Sequence, residues 1–227
     1  CLSALPAVLV AAGITAAPVW GQDHPKGGDH PKGGDHPKGG DHPKGGEHPK
    51  GGDHPEHPGG GAEAEAWMKA STPGDIHKML MSMEGNWTAD QEFAMAPGAP
   101  PQKSQGTSEA KAILGGRFLR QSYKGDMGGM PFEGVDVTGY DNLKKKVVGV
   151  WMDSMGTMMM HLEGDYDAAT KTLTTTSEYD DPASGQKKKM KFVTKIVSED
   201  EHVFDMYDVA ADGKENKIGM IRYTRKK

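Results

Sequence analysis

From Asn86 onward, apolar and polar side chains alternate with a period of two, and short turn sequences interrupt the alternation roughly every ten residues. This alternation is typical of β-strands that have one buried face. The connections include Gly125-Asp126, Asp141-Asn142 and Ala211-Asp212-Gly213, which are short hairpin sequences with no room for crossover helices. The pattern therefore predicts an antiparallel sheet in which consecutive strands are neighbours.

Such a sheet would be long, with one apolar face, and it avoids exposed edges by closing on itself. The predicted fold class is all-β: an antiparallel up-and-down meander of nine or ten strands closed into a β-barrel. The expected strands are residues 86–94, 104–114, 116–125, 131–140, 145–152, 157–164, 171–179, 187–197, 202–209 and 216–225.

A short helix is expected before the first strand. Residues 62–70 are rich in Ala and Glu, which favour helix. Further on, Asp75 is suited to a helix start and Gly85 to a helix stop. The apolar residues between them fall on one helical face, namely Ile76, Met79, Leu80 and Met83. Residues 62–83 are therefore interpreted as a helical lead-in to a barrel domain of residues 84–227.

The first 21 residues resemble an export signal. Residues 2–19 carry no charge, and Val19-Trp20-Gly21 is an acceptable cleavage pattern. We expect residues 1–21 to be a secretory signal peptide whose initiator Met and basic region precede this chain; a retained membrane anchor is the alternative. The prediction is an exported protein, periplasmic or extracellular in a bacterium, with no stable transmembrane span after cleavage and, without Cys1, no thiol.

Residues 22–61 form a hydrophilic repeat with the unit DHPKGG and a period of six. Pro and Gly oppose regular structure here, and large apolar side chains are almost absent, so we expect a disordered linker. Imidazoles on a flexible chain can bind Zn, Cu or Ni weakly, while no cofactor is required. The candidate ligands are His24, His30, His36, His42, His48, His54 and His57. Whether the repeat is mainly a spacer or a metal site stays open.

The net charge and the methionine content bear on whether the protein binds nucleic acid or copper. The formal net charge is −5 with both signs interspersed, which argues against a nucleic-acid partner. The segment MDSMGTMMMH from Met152 to His161 has thioethers that could bind copper(I). On a strand, however, Met158 and Met160 would face one way and Met159 the other, so core packing is the competing interpretation.

Gly85-Asn86-Trp87, directly after the expected helix, resembles the G-x-W signature of lipocalin-like (calycin) barrels. In that group an Arg on the last strand packs over the Trp and closes the floor of the barrel. The resemblance implies that Arg222, in the segment GMIRYTR, packs over Trp87. A guanidinium over an indole ring is a favourable contact.

A second resemblance covers nearly the whole domain, from Glu84 to Arg225. It rests on the segments ILGGRFLRQSY, PFEGVDVTGYDN, WMDSMGT and EGDYDAATKTLT, followed by RYTR. These are similar to the bacterial domain-of-unknown-function family numbered fifteen-seventy-nine. The family implies an exported or envelope protein and supplies no established catalytic residues. The histidine-rich repeat lies outside the resemblance.

A barrel of eight to ten strands has an interior that can hold one small apolar molecule. We therefore expect an exported, non-catalytic binding protein with a small hydrophobic or amphipathic ligand. Alternation indicates these inward, ligand-binding side chains: Trp87, Phe118, Tyr123, Phe132, Trp151, Met158, Phe192, Phe204 and Met220. The alternative is an envelope metal-binding protein that uses the repeat and the Met-rich strands.

Catalysis would require ionisable side chains clustered inside the cavity, and the sequence has no G-x-S-x-G, H-E-x-x-H or phosphate-binding Gly loop. The polar candidates are Asp136, Asp141, Asp153 and Ser154. Turn hydrogen bonding at strand ends accounts for the last three. His161 and His202 lie on expected strands, where either could be an axial ligand if the cavity held haem; a hydrogen-bonded or surface His is the competing interpretation.

Overall fold

The computed structural model describes residues 60–94, 100–182 and 184–227. Helix α1 spans Gly60–Ser71 and helix α2 spans Asp75–Met81. The strands are β1 Gly85–Phe93, β2 Gln102–Ile113, β3 Phe118–Met127, β4 Met130–Asp141, β5 Lys146–Asp153, β6 Met160–Asp167, β7 Thr172–Asp180, β8 Lys187–Ser198, β9 Glu201–Val209 and β10 Glu215–Arg225. The predicted signal peptide and the repeat up to residue 59 lie outside the described residues.

The ten strands form a closed barrel in which each strand pairs antiparallel with the next in the chain, and β1 pairs with β10 to complete the circle. The predicted all-β meander barrel with a helical lead-in is therefore confirmed. Closure leaves every strand hydrogen-bonded on both sides, which removes the exposed edge that an open sheet would have. In the part of the chain that is described, we find no helix with the length and apolar character needed to cross a membrane.

Asp side chains at the strand ends fix several hairpins. The Oδ1 atom of Asp141 accepts hydrogen bonds from the backbone N–H groups of Leu143 and Lys144, at 2.8 and 3.0 Å. Lys145 then has a φ of 54°, in the left-handed region, which reverses the chain into β5. Oδ1 of Asp153 accepts the N–H of Met155 at 2.9 Å in the same manner. These contacts confirm the predicted turn bonding at both positions.

Helix α2 covers one end of the barrel. Leu80 is completely buried and packs with Val147 on β5 and Leu173 on β7. One turn earlier, the ring of His77 meets Tyr140 edge-on, with 5.8 Å between ring centres. The apolar face predicted for this helix is thus directed into the barrel, and it determines which end of the interior is blocked.

Helix α1 makes a different contact. Nδ2 of Asn142, in the β4–β5 turn, donates to the carbonyl oxygens of Ala70 and Thr72, both at 2.9 Å. Trp67 and Met68 are two-thirds exposed. Hydrogen bonds at its C-terminal end, rather than an apolar face, therefore connect α1 to the domain.

Candidate functional site

The interior of the barrel holds a cavity of about 190 Å³. Its wall is contributed by α2 and by strands around the barrel. Most of the wall is apolar, and the larger apolar side chains are Leu80, Met83, Phe93, Leu119, Met127, Phe132, Trp151, Met160, Leu162, Leu173, Met190, Phe192, Phe204, Met206, Ile218 and Ile221. A site of this kind suits one compact apolar molecule.

Five of the predicted inward residues lie on this wall: Tyr123, Phe132, Trp151, Phe192 and Phe204. Four of these rings form two stacked pairs. Phe132 and Trp151 have ring centres 6.3 Å apart with planes inclined by 22°, and Phe192 and Phe204 have centres 5.7 Å apart with planes inclined by 8°. The wall therefore presents two flat aromatic surfaces, although a ligand contact for these residues stays a prediction.

Phe118, Met158 and Met220 do not line the cavity, which corrects the prediction for them. On β3, Leu119 and Tyr123 point inward, so Phe118 points outward and covers Gly139 on the outer face. Met158 precedes the start of β6 and is 39% exposed. On β10 the inward positions are Ile221 and its neighbours at a spacing of two, which places Met220 outside.

Trp87 is buried but is not one of the residues that line the cavity. Arg225, and not Arg222, packs over its ring: the guanidinium carbon of Arg225 is 4.2 Å from the indole centre. The alternation of β10 explains the error, since Arg222 and Arg225 are three residues apart and face opposite sides. Arg222 points outward and forms an ion pair with Glu201.

Arg225 also bridges elements at the closed end. Its guanidinium donates to the carbonyl oxygens of Ser82 at 3.0 Å and Glu84 at 2.5 Å, in the link between α2 and β1. Its Nε donates to the carbonyl of Glu199 at 2.9 Å, in the β8–β9 turn. One side chain therefore joins the helix link, β10 and the β8–β9 turn beneath the cavity.

Gly85 is required by this arrangement. It has a φ of 141°, which side chains rarely adopt, and a Cβ atom added there would collide with the guanidinium of Arg225. Two residues later, Nε1 of Trp87 donates to the carbonyl of Met83 at 3.0 Å. The G-x-W pattern thus has a physical cause. Gly85 leaves space for the guanidinium of Arg225, and the indole of Trp87 is the ring on which that guanidinium packs.

His202 on β9 lies between this floor and the cavity. Its ring meets Trp87 edge-on at 4.5 Å and stacks on Tyr223 at 4.6 Å, and it also forms part of the cavity wall. Burial, followed by the positive charge of Arg225, lowers the pKa of His202 to about 4. The imidazole is therefore uncharged at neutral pH.

A chain of hydrogen bonds occupies the polar groups on the β1–β3 side. The hydroxyl of Tyr123 donates to Oε1 of Gln91 at 2.6 Å, and Nε2 of Gln91 donates to the carbonyl of Asp126 at 2.8 Å and to Oγ of Ser104 at 2.5 Å. Burial raises the pKa of Tyr123 to about 12. These groups are uncharged and are already bonded to each other.

Two carboxyl groups, Asp136 on β4 and Asp153 on β5, lie on the cavity wall. Both oxygens of Asp153 are engaged, because Oδ2 accepts from Nε1 of Trp151 at 2.8 Å and Oδ1 from the N–H of Met155. Oδ2 of Asp136 accepts from Oγ1 of Thr138 at 2.7 Å. Asp136 faces the cavity, and its burial raises its pKa to about 7, against the opposing effect of the Thr138 hydrogen bond.

Gly134 determines where the ring of Trp151 lies. A Cβ atom at Gly134 would collide with the six-membered ring of this indole, so the ring of Trp151 occupies the space that a larger residue at Gly134 would fill. In this position its Nε1 donates to Asp153, and its side chain lines the cavity.

The other polar candidates are not brought to the cavity. Asp141 belongs to the β4–β5 turn, Oγ of Ser154 accepts the N–H of Glu133 at 3.1 Å, and His161 is exposed on the outer face of β6. Within the described ranges, no group of three or more His, Cys, Asp or Glu side chains is arranged to hold a metal ion. The seven predicted ligands of the repeat, His24 to His57, lie outside the described residues.

Fold and cavity together define the class: a small, closed, up-and-down β-barrel with an internal, mainly apolar cavity, consistent with the lipocalin-like type. Residues 72–225 match the family described as "Protein of unknown function (DUF1579)". This match covers more than half of the chain, so the protein belongs to that family, and the resemblance seen in its motifs is confirmed. A search among curated proteins found no match.

Proposed function

We propose that the domain is an exported, non-catalytic binding protein that holds one small hydrophobic or amphipathic molecule inside the barrel. The observation that supports this most strongly is the cavity of about 190 Å³ with its apolar wall. An apolar cavity of about 150 Å³ in a protein is large enough to bind benzene. A molecule built on a single ring is therefore the size expected here.

The aromatic surfaces support the choice of an aromatic ligand. The ring of Trp151 occupies the space above Gly134 and is hydrogen-bonded to Asp153, so its position is fixed before a ligand arrives. Phe192 and Phe204 are stacked on each other and are fixed in a similar way. Preorganised walls lower the entropy cost of binding, and aromatic contacts add to the burial of apolar area.

Binding is favoured over catalysis because most polar groups at the wall are already used. Tyr123 and Gln91 bond to each other, and both oxygens of Asp153 accept hydrogen bonds from the protein. His202 is uncharged near neutral pH and is packed between two rings. Because these polar groups are engaged by other protein groups, the contacts support a rigid binding site rather than a site for proton transfer.

Calorimetric titration with toluene tests the proposal. We expect saturable binding of one toluene per chain, and we expect Thr194→Phe to weaken it at least tenfold, because Thr194 lies on the cavity wall. Thr224→Phe is the matched control, since Thr224 is exposed on the outer face of β10. Absence of binding to the unmodified protein, or equal effects of the two substitutions, would contradict the proposal.

Export and metal binding rest on the sequence. The apolar segment at residues 2–19 supports export to the periplasm or the outside of the cell. The seven imidazoles of the repeat support a second function, in which the linker binds Zn, Cu or Ni weakly while it holds the barrel away from a surface.

A further inference from the structure

Asp136 is placed where a ligand inside the barrel would meet it. It lies in the middle of β4, opposite Gln121 on β3 and opposite Trp151 on β5. Its side chain has the same inward direction as Phe132, and it forms part of the cavity wall. Because Asp136 is in the interior of a strand, it does not stabilise a turn as Asp141 and Asp153 do.

The hydrogen bonds of the two wall carboxyls are unequal. Asp153 has a donor on each oxygen, whereas Asp136 has a donor on Oδ2 only, from Thr138. The hydrogen bond that the described residues donate to this carboxyl is the one from Thr138 to Oδ2, and Oδ1 receives none. An acceptor that faces an apolar cavity without a hydrogen bond carries a desolvation cost, so Oδ1 can accept a hydrogen bond from a ligand.

The charge of the wall indicates which ligands fit. Among the described residues that line the cavity there is no Lys and no Arg. His202, which also lines the cavity, is uncharged at neutral pH. A buried anionic ligand would therefore meet two carboxyl groups without a compensating cation, while a cation would meet a free carboxyl oxygen.

The aromatic side chains near Asp136 also favour a positively charged ligand. Trp151 lies directly across from Asp136 on the neighbouring strand, and Phe132 stacks with it. The faces of these rings carry partial negative charge and attract a cation, especially where water is excluded. The carboxyl of Asp136 and the rings of Trp151 and Phe132 thus line the same part of the cavity.

We infer that the ligand is a small hydrophobic amine, whose ammonium group donates to Oδ1 of Asp136 while its apolar part lies against the aromatic wall. This inference rests on the proposed binding function and specifies its ligand class. It excludes carboxylates such as fatty acids as ligands. It also assigns to Asp136 the role of selecting the ligand by charge.

Four probes of nearly equal size separate the possibilities: toluene, benzyl alcohol, benzylamine and benzoate, titrated by calorimetry at pH 8. Burial raises the pKa of Asp136 to about 7, so most of this carboxyl is ionised at pH 8, where benzylamine is protonated. We expect benzylamine to bind at least tenfold more tightly than benzyl alcohol, which corresponds to about 1.4 kcal/mol, and we expect benzoate to bind more weakly than toluene.

The substitution Asp136→Asn removes the charge and keeps the shape. It should weaken benzylamine binding at least tenfold relative to toluene binding, since toluene does not use the carboxyl. The matched control is Asp165→Asn, because Asp165 is exposed on β6 and pairs with Lys146. This control should leave the binding of both probes within twofold of the unmodified protein.

The outcomes distinguish the inference from the function on which it rests. Toluene binding together with benzoate as tight as benzylamine would overturn the inference and leave the cavity as a binding site. Unchanged benzylamine affinity in Asp136→Asn would overturn it in the same way. Failure of all four probes to bind the unmodified protein would overturn both.

Discussion

Arg225 and Trp87 face each other across the β1–β10 pair that closes the barrel, and the guanidinium carbon of Arg225 is 4.2 Å from the centre of the indole ring. The contact therefore joins the first strand to the last at the covered end. Because Arg225 also donates to carbonyls in the α2–β1 link and the β8–β9 turn, it holds together segments that are far apart in the sequence.

Arg225→Ala should destabilise the domain by roughly 2–4 kcal/mol, since it removes a cation–π contact and several hydrogen bonds from a charged donor. Urea denaturation followed by far-UV circular dichroism measures the free energy of unfolding. The control is Arg222→Ala, which removes an outward ion pair with Glu201 and should cost less than about 1 kcal/mol. Equal losses in the two variants would contradict the assignment of Arg225 to the barrel floor.

Gly85→Ala should lower the free energy of unfolding by at least about 2 kcal/mol, because the positive φ is strained for Ala and its Cβ would displace the guanidinium of Arg225. Gly61→Ala, in helix α1 with open space around it, should be neutral or slightly stabilising.

A double-mutant cycle separates the two causes at Gly85. With Arg225 already replaced by Ala, the collision is absent and only the backbone strain remains, so Gly85→Ala should cost less than it does in the unmodified protein. Strict additivity of the two losses would show that Gly85 and Arg225 act independently.

Asp136 makes stability depend on pH in a direction that the structure specifies. Burial raises its pKa from 3.8 to about 7 in the folded state, so folding favours the protonated form. Its contribution is fully present below pH 4 and is lost as the pH rises through 7. Relative to the unmodified protein, Asp136→Asn should therefore become more stable between pH 4 and pH 8, by at most about 4 kcal/mol.

Other groups near Asp136 do not produce this difference. Burial raises the pKa values of Tyr123 and Tyr223, so both hydroxyls stay neutral across this range, and Gln121 and Thr138 do not titrate. The pKa of His202 is lowered to about 4, so its contribution is present above pH 6.5 and is lost as the pH falls through 4, in both proteins. Urea midpoints at several pH values measure the difference, and parallel profiles would contradict an enclosed carboxyl at Asp136.

Metal binding should depend on the repeat alone. Zinc and copper titrated by calorimetry should bind to the full chain at micromolar or weaker affinity, because the composition of the repeat predicts disorder and ordering such a segment opposes binding. Removal of residues 22–61 should abolish the uptake. Equal and negligible uptake by both proteins would exclude the repeat as a metal site, and equal strong uptake would place the metal in the barrel instead.

The strands could be located from the sequence because hairpin turns in this chain carry distinctive residues. The side chains of Asp141 and Asp153 accept hydrogen bonds from the backbone that follows their strands. Asp residues in short turn sequences can be recognised in the sequence without a structure. The order of the strands followed from the shortness of the connections, which permit only neighbours to pair.

The orientation of individual side chains was harder to predict. Phe118 and Tyr123 were both expected inside, although residues five apart on one strand face opposite sides. Arg222 was chosen in place of Arg225 because the sequence does not reveal the register of β1 against β10, which sets Arg225 opposite Trp87. Asp136 could have been recognised as inward, since it is an even number of residues from Phe132.

The cavity itself could not be read from the chain. Its volume depends on how side chains from distant strands meet across the barrel, and sequence spacing contains no measure of those distances. The position of the Trp151 ring is one example, because it requires Gly134 on the neighbouring strand to leave space for it. The pairing of those two residues becomes visible only when the strands are in register.

The most direct test of the central claim, that one small apolar molecule occupies the barrel, is a nuclear magnetic resonance titration of [methyl-13C]methionine-labelled protein with toluene. Five cavity methionines report on occupancy: Met83, Met127, Met160, Met190 and Met206. Three exposed methionines provide the internal control: Met68, Met158 and Met159. We predict saturable ring-current shifts of the cavity methyl resonances and unchanged control resonances; shifts confined to the exposed methionines, or none, would contradict the proposal.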